Sequence, residues 1–385
     1  MVRITCILIC FTFLGKSLAQ NFKKLEHFAD SLYNAEQYKK AILIYTKMLA
    51  LQPKSFETYS SRGYSYFYSK NYKNAIADAG QGLALKPSIY YEDKFIRLKG
   101  YSFFYWEKYY EAIKFLSEDL VVNLQEYYSY LLRGRAYYET ENYQKAISDL
   151  RVGLQDKMID KDNKVFALVT IGLSYLYMDS ISKIAPIIKE IKAVDSTCND
   201  IDLLKGRVSY YKEDYAGALG YYNEAYKKDT ISTGILESIA HCNYYLKNYD
   251  TAVNQFKVCD KKEKGNSGLN NMISWTLFLQ KKYNEALPYA DKAILYDKLN
   301  APAYDTRGCV LYKTGLYSKA ITDFNKCLQL DSTIFNSYYF RGSSFLKTNN
   351  KKEACADFQK LNTEKDYKVM EGEILLNDLL EENCR

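Results

Sequence analysis

Few side chains of this sequence have the types and the spacing that catalysis needs. Its 385 residues include two histidines, His27 and His241, which lie far apart in the chain. The sequence shows no glycine-rich phosphate loop, HExxH zinc motif, CxxC pair or nucleophile elbow. Acidic residues are scattered among basic ones, as on solvated helix surfaces. The sequence therefore predicts no enzyme, no cofactor and no metal site, although carboxylates from distant segments could in principle meet.

The elements that must position the side chains follow from a repeated motif of about 34 residues. At residues 301–332 a pivot alanine, Ala320, is preceded by Gly308 twelve residues earlier and by Tyr317 three residues earlier. The pivots are Ala41, Ala75, Ala112, Ala146, a weak Ile184, Ala218, Ala252, Ala286, Ala320 and Ala354. This period predicts stacked helical hairpins that bury their apolar faces against neighbours.

Each motif has the pattern of two helices joined by a short turn. The residue twelve before each pivot is Gly, Ala or Ser, small enough for two helices to approach closely, and a Tyr usually fills the turn. The motif resembles the tetratricopeptide repeat (TPR), most clearly at residues 63–87, and the chain resembles exported bacterial members. The resemblance implies an all-α solenoid of about ten hairpins over residues 20–365, degenerate near 165–198, with a capping helix and tail over 366–385.

The first 19 residues predict a secretory signal peptide. Arg3 supplies a positive charge, an apolar run from Ile4 to Gly15 follows, and Ala19 ends a possible cleavage motif. A buried amino-terminal helix is the alternative. The run is too short to span a bilayer, and no later segment is long and apolar enough, so we expect no membrane span in the mature chain. We expect export to the periplasm or the outside of the cell.

Comparison of the repeats with one another predicts four ion pairs. An Arg thirteen before the pivot and an Asp three after it occur in the same four repeats, and the other repeats have neither. We expect each Arg to reach its own Asp across the hairpin as a partly buried pair. The pairs are Arg62 with Asp78, Arg133 with Asp149, Arg307 with Asp323, and Arg341 with Asp357.

The nine cysteines fall into different groups. Exported proteins of TPR type often end with one Cys beside the last pivot and another at the carboxyl terminus, which implies a disulfide between Cys355 and Cys384. A capping helix antiparallel to the last helix of the array would bring the two together, and an oxidising compartment would permit the bond. Cys259 and Cys327 occupy a position that small residues hold in other repeats, so we expect them to be buried.

Aromatic residues supply a candidate binding site. The positions eleven and seven before the pivot differ by four residues and share one face of the first helix. In TPR proteins that face lines the concave groove, and Tyr, Trp and Arg are typical of protein contact surfaces. Because the chain has 40 Tyr, general overuse of Tyr is the alternative. The predicted groove residues are Tyr64, Tyr68, Tyr101, Tyr105, Arg207, Tyr211, His241, Tyr245 and Trp275.

These features predict a non-catalytic scaffold that binds a protein or peptide segment in the cell envelope or outside the cell. A net charge of +7 with interspersed signs gives little support for a nucleic-acid partner, and we expect none. The alternative is a structural subunit that assembles through the solenoid ends and the convex face. An enzyme acting on envelope polymers is a remote third possibility, and no feature specifies an oligomeric state.

Overall fold

The computed structural model describes residues 20–363, 368, 370 and 373–384, so the predicted signal peptide lies outside the described residues. Helices and short connections make up this described part, which contains no strand. The described part of the chain divides into two compact units, one ending at Cys198 and the other beginning at Asn199. The architecture is the all-α hairpin array that the repeat predicts.

The first unit contains five helical hairpins within its described residues. The pairs are α1 (20–34) with α2 (Tyr38–Leu51), α3 (Phe56–Tyr68) with α4 (Tyr72–Ala84), α5 (Ile89–Tyr105) with α6 (Tyr109–Val122), α7 (Tyr127–Glu139) with α8 (Tyr143–Gly153), and α9 (Lys161–Tyr177) with α10 (Ile184–Val194). In the fifth hairpin, which lacks the pivot alanine and the turn tyrosine, a 3-10 turn at Ile181–Lys183 precedes α10. Ile184 still takes the pivot position and is buried.

The second unit contains five further hairpins and a final helix among its described residues. The pairs are α11 (Asp200–Tyr211) with α12 (Tyr215–Lys228), α13 (Thr233–Tyr245) with α14 (Tyr249–Lys262), α15 (Ser267–Leu279) with α16 (Tyr283–Tyr296), α17 (Ala301–Lys313) with α18 (Tyr317–Leu330), and α19 (Phe335–Lys347) with α20 (Lys351–Asn362). The final helix is α21 (Leu376–Asn383). In both units the turn tyrosine, where present, is the first residue of the second helix.

The final helix occupies only part of the carboxyl-terminal segment. The sequence predicts a capping helix and tail over residues 366–385, and α21 lies within this range, whereas the described residues 373–375 are not helical. Leu375 has extended backbone angles, φ −63° and ψ 144°, and the carbonyl oxygen of Ile374 accepts a hydrogen bond of 2.8 Å from the Tyr339 hydroxyl. This tertiary contact satisfies the carbonyl of Ile374, and the helix begins two residues later at Leu376.

A disulfide joins the end of the chain to the last hairpin. Cys355 on α20 is bonded to Cys384, with their Cα atoms 5.5 Å apart. The helix α21 itself buries one residue, Leu379. The covalent bond therefore supplements a small packing contact at the end of the array. Cys259 and Cys327 are buried thiols, as the repeat pattern predicts.

The four arginines lie against the aspartates of their own hairpins. Each guanidinium donates through Nε and Nη2 to both carboxylate oxygens, at distances of 2.6–2.9 Å. The aspartates are almost fully buried, whereas the arginine side chains remain 16–25% exposed. The two donors and two acceptors make planar, bidentate pairs that fix the first helix of each hairpin to the second.

The same arginines also reach the preceding hairpin. In each case Nη1 donates to a side chain five residues after the preceding pivot, at 2.7–3.2 Å. The acceptors are Thr46 for Arg62, Ser117 for Arg133, Asp291 for Arg307 and Asn325 for Arg341. Each of these arginines therefore connects three helices, and we call this arrangement the arginine clamp.

One further buried pair was not predicted from the sequence. In the third hairpin Arg97 on α5 lies 3.1 Å from Asp119 on α6 and 3.1 Å from Glu126. Asp119 also accepts hydrogen bonds from Ser129 and Asn123. These residues stand fifteen before and seven after their pivot, so a search for the repeated Arg and Asp positions does not find them.

The small residue before each pivot leaves room for the second helix. A Cβ atom added to Gly308 would lie 2.6 Å from the ring of Phe324, which is fully buried on α18. At Gly220 in α12 an added Cβ would have no neighbour within 4 Å. The two glycines therefore form a matched pair for mutation. Close packing leaves no room for a side chain at Gly308, whereas nothing obstructs a side chain at Gly220.

We expect Gly308→Ala to lower the free energy of unfolding by about 1–3 kcal/mol, because the buried Phe324 ring must move. Gly220→Ala should raise it by about 0.5–1 kcal/mol, since Ala has the better helix propensity and nothing obstructs it. Urea unfolding followed by far-ultraviolet circular dichroism measures both. Equal effects of the two substitutions would contradict the close-packing role of Gly308.

Candidate binding site on the face of the first helices

The predicted groove residues seven before the pivot are accessible. Tyr68, Tyr105, Tyr211 and Tyr245 each expose 41–50% of their surface. They lie at or near the carboxyl-terminal ends of first helices in both units. These tyrosines can therefore contribute contact area to a partner.

Most of the residues eleven before the pivot are less accessible. Arg207 is exposed, whereas Tyr64, His241 and Trp275 are half-buried. The Tyr64 hydroxyl donates to the carbonyl oxygen of Lys94 at 3.3 Å, so part of this side chain is used within the fold. The positions eleven and seven before the pivot share one face of an isolated helix, but their side chains differ in exposure once the hairpins are stacked.

The prediction that Tyr101 lines an open groove is wrong. Its side chain is 9% exposed and packs with Ala112, Leu116 and Leu132 in the core of the first unit. Its hydroxyl lies 3.3 Å from the Ser129 hydroxyl on α7. The first helix of the next hairpin covers this position, which explains why an aromatic residue on the predicted face is core.

Three of these exposed tyrosines, and Tyr177 at the same repeat position, have a structural role as well. These four rings stack on the turn tyrosine of the preceding hairpin, at centroid distances of 4.4–6.1 Å and interplanar angles of 6–22°. The stacked pairs are Tyr38 with Tyr68, Tyr72 with Tyr105, Tyr143 with Tyr177, and Tyr215 with Tyr245. The residues seven before the pivot in these pairs remain 41–50% exposed, so stacking and partner contact are compatible.

The second unit has a pocket of about 450 Å³ on the face of its first helices, which we call the second-unit pocket. Its walls include three of the predicted groove residues, His241, Tyr245 and Trp275, together with Tyr210 and Tyr244. The Trp275 indole N–H donates to the Tyr244 hydroxyl at 2.9 Å, which fixes both side chains. The pocket is thus lined by aromatic side chains, two of which hydrogen-bond to each other.

The polar groups of the second-unit pocket were missed by the sequence analysis. Asp305 on α17 accepts hydrogen bonds from Ser337 Oγ at 2.5 Å and from Asn336 Nδ2 at 3.1 Å. Burial raises the pKa of Asp305 to about 6. Asn271 on α15 also lines the pocket. Both stand fifteen before their pivots, and that shared position is the signal that could have identified them.

His241 stands at the wall of this pocket. Its Nε2 lies 3.7 Å from a carboxylate oxygen of Glu237, one turn earlier on α13, and its ring meets the edge of Phe256 at a centroid distance of 5.0 Å. These contacts orient the imidazole between polar and apolar neighbours. We therefore treat His241 as a wall of the pocket, with no residue positioned beside it as a nucleophile in the contacts described.

A smaller pocket of about 320 Å³ lies in the first unit. Tyr64, a predicted groove residue, lines it together with Tyr33, Asp30 and Tyr45. The Tyr45 hydroxyl donates to Asp30 at 2.7 Å, so one oxygen of this carboxylate is hydrogen-bonded within the fold. Its lining is more polar than that of the second-unit pocket, so it offers less apolar contact area.

The described residues contain no group of three or more His, Cys, Asp or Glu side chains arranged to hold a metal ion. No helix in the same part of the chain is long and apolar enough to cross a membrane. The arrangement described here can supply contact area and hydrogen bonds to a bound molecule.

Comparisons with known proteins agree with this architecture. The family described as "Tetratricopeptide repeat" matches residues 301–334, and none of the curated proteins matches the chain. The structure of Pseudomonas aeruginosa PilF is similar, with 16% identity, 58% of this chain and 99% of that one covered, and a TM-score of 0.51. This likeness concerns the fold alone.

Two further solved structures have lower TM-scores. A tetratricopeptide repeat protein from Parabacteroides merdae is 15% identical, with 68% of this chain and 100% of that one covered and a TM-score of 0.48. YrrB, described as a TPR protein with an unusual peptide-binding site, is 16% identical, with coverages of 47% and 93% and a TM-score of 0.39. The family match covers one repeat of the array, and the likeness to PilF shows that the hairpin fold is shared with that protein.

Proposed function

We propose that this chain is a non-catalytic scaffold that binds a segment of another protein in the second-unit pocket. The observation that carries the proposal is the set of Tyr and Trp side chains that line one cavity of about 450 Å³. Such residues provide large contact areas with little rotamer entropy to lose, and they dominate the binding energy of many interfaces. The exposed half of Tyr245 extends this surface beyond the cavity.

We also propose that the chain is exported. The positive, apolar and small-residue order of residues 1–19 supports this proposal. The Cys355–Cys384 disulfide supports it too, since such bonds persist in oxidising compartments. The amino-terminal residue of the chain recovered from cells tests export. Cleavage before Gln20 is the expected result, and an intact amino terminus would refute it.

Truncation of the pocket walls should weaken partner binding. We expect Tyr245→Ala combined with Trp275→Ala to weaken binding roughly tenfold or more, as truncated hot-spot residues do. The measurement is recovery of partners by the immobilised full chain from an envelope extract, quantified by mass spectrometry, followed by titration of the protein recovered.

Tyr296→Ala is the matched control for this experiment. Tyr296 is 45% exposed on the second helix α16, whereas Tyr245 is 47% exposed on a first helix. The control should leave recovery unchanged, and circular dichroism should show equal helical content in all variants. Undiminished recovery by the Tyr245 and Trp275 variant would refute the pocket as the binding site and favour assembly through the second helices or the ends of the array.

A further inference from the structure

One buried carboxylate in the second-unit pocket lacks a countercharge. Within the described part of the chain, six aspartates are buried, namely Asp78, Asp119, Asp149, Asp305, Asp323 and Asp357. Five of these carboxylates lie against an arginine. Asp305 is the exception, because no described Lys, Arg or His lies within ion-pair distance and its partners, Ser337 and Asn336, are neutral. A buried charge without a partner of opposite charge is unusual.

A second acceptor in the same pocket is also incomplete. Asn271 holds on α15 the repeat position that Asp305 holds on α17, and both side chains line the pocket. The Asn271 Oδ1 atom is buried and accepts no hydrogen bond from the described residues. Since buried acceptors are normally satisfied, the Asn271 oxygen indicates a missing donor, and Asp305 indicates a missing positive charge.

The aromatic walls specify the charge of that donor. Tyr210, Tyr244, Tyr245 and Trp275 surround the same cavity. Aromatic faces attract cations, most strongly where the cation is removed from water. The carboxylate of Asp305 acts in the same direction, and it would repel an anionic group such as a peptide carboxyl terminus.

We propose that the second-unit pocket binds a lysine or arginine side chain of the partner, whose cationic group donates hydrogen bonds to Asp305 and Asn271. The proposal rests on the proposed function and adds the chemistry of the segment that is bound. The cationic group would supply the positive charge that Asp305 lacks and the hydrogen bond that Asn271 lacks. The aliphatic part of the same side chain would lie against the aromatic rings and against Met370, another residue that lines the pocket.

The charged state of Asp305 gives a readout that is independent of any ligand. Burial raises its pKa to about 6, so the folded chain holds the proton more tightly than the unfolded chain, and the ionised form costs stability above that pH. The titratable groups nearby are the buried thiols of Cys309 and Cys327, the wall residue His241, and Glu373, which pairs with Lys313. Asp305→Asn should therefore melt at a higher temperature than the parent chain at pH 7.5.

Binding is tested on the full chain carrying Trp106→Phe, which leaves Trp275 as the remaining tryptophan, so that fluorescence reports on the pocket. The probes are the peptides Ac-Ala-Ala-X-Ala-Ala-amide, in which X is lysine, arginine or the uncharged norleucine. We expect the better cationic peptide to bind at least roughly tenfold more tightly than the norleucine peptide. Comparison of the lysine peptide with the arginine peptide shows which of the two side chains the pocket prefers.

Asp305→Asn should abolish this preference, whereas Asp250→Asn, which removes an exposed charge on α14, should keep it. Equal binding of the cationic and norleucine peptides, or no binding of either cationic peptide, would overturn the proposal. An Asp305→Asn chain that melts below the parent would also overturn it, because the carboxylate would then be stabilised by its own neighbours. These outcomes leave the partner-recovery experiment unaffected, so the proposed function is judged separately.

Discussion

Replacing Arg307 with methionine is expected to lower the free energy of unfolding by about 2–3 kcal/mol. Removal of one partner from a buried ion pair costs about 3–5 kcal/mol because the other charge is left buried. Asp323 is 5% exposed, but the Arg307 side chain is 25% exposed, so solvent screening reduces the expected loss. The loss of the contact between Arg307 and Asp291 on the preceding hairpin adds to it.

The comparison that tests this prediction is a double-mutant cycle with Asp323→Leu. The chain with both substitutions should lie within about 1 kcal/mol of the parent, because an apolar pair of suitable shape can replace a buried ion pair. Lys227→Met, which breaks an exposed pair with Glu224, should change stability by less than about 1 kcal/mol. Urea unfolding measures all four variants. A loss for Arg307→Met no greater than that for Lys227→Met would show that the arginine clamp is not a stabilising element.

Replacing Cys355 and Cys384 with serine is expected to destabilise the end of the second unit by about 3–4 kcal/mol. The bond closes a loop across a sequence separation of 29 residues, and the chain-entropy model gives an effect of this size for such a loop. The helix α21 depends on the bond because it buries only Leu379 itself. Limited proteolysis should then cut the serine variant after α20 faster than the parent.

Reduction of the disulfide separates its effect from any effect of the substitutions. A thiol reductant should increase proteolysis of the parent chain to the level of the serine variant and should leave the variant unchanged. Cys242 and Cys259 are buried and also present in the variant, so they control for other thiol effects. A parent chain whose cleavage is insensitive to reductant would show that α21 is held by packing alone.

The fold was predictable from the sequence because the repeat is local and regular. The pivot alanines, the small residues and the turn tyrosines define each hairpin without information about distant contacts. The contact between each clamp arginine and the aspartate of its own hairpin was predictable for the same reason, since Arg and Asp occur together in the same four repeats. The start of the final helix was less predictable, because the backbone just before it makes a tertiary contact, the hydrogen bond from Tyr339 to Ile374.

The candidate site was predictable only in part. A helical wheel places Tyr101 and Tyr105 on one face, yet α7 covers Tyr101 and leaves Tyr105 exposed. Exposure here depends on the neighbouring hairpin, which the pattern of one helix does not contain. Asp305 was missed because a single acidic residue in a helix is usually solvated, and its burial arises from packing against α19.

The arginine clamps are unevenly distributed in the second unit. They occur in its last two hairpins, through Arg307 and Arg341, whereas the hairpins from α11 to α16 have none. In a repeat array the stability of each part depends on its own hairpin and on its contacts with neighbours. Backbone amides in α17–α20 should therefore exchange hydrogen with solvent more slowly than those in α11–α16, and transient local opening of the unit should begin in the hairpins without clamps.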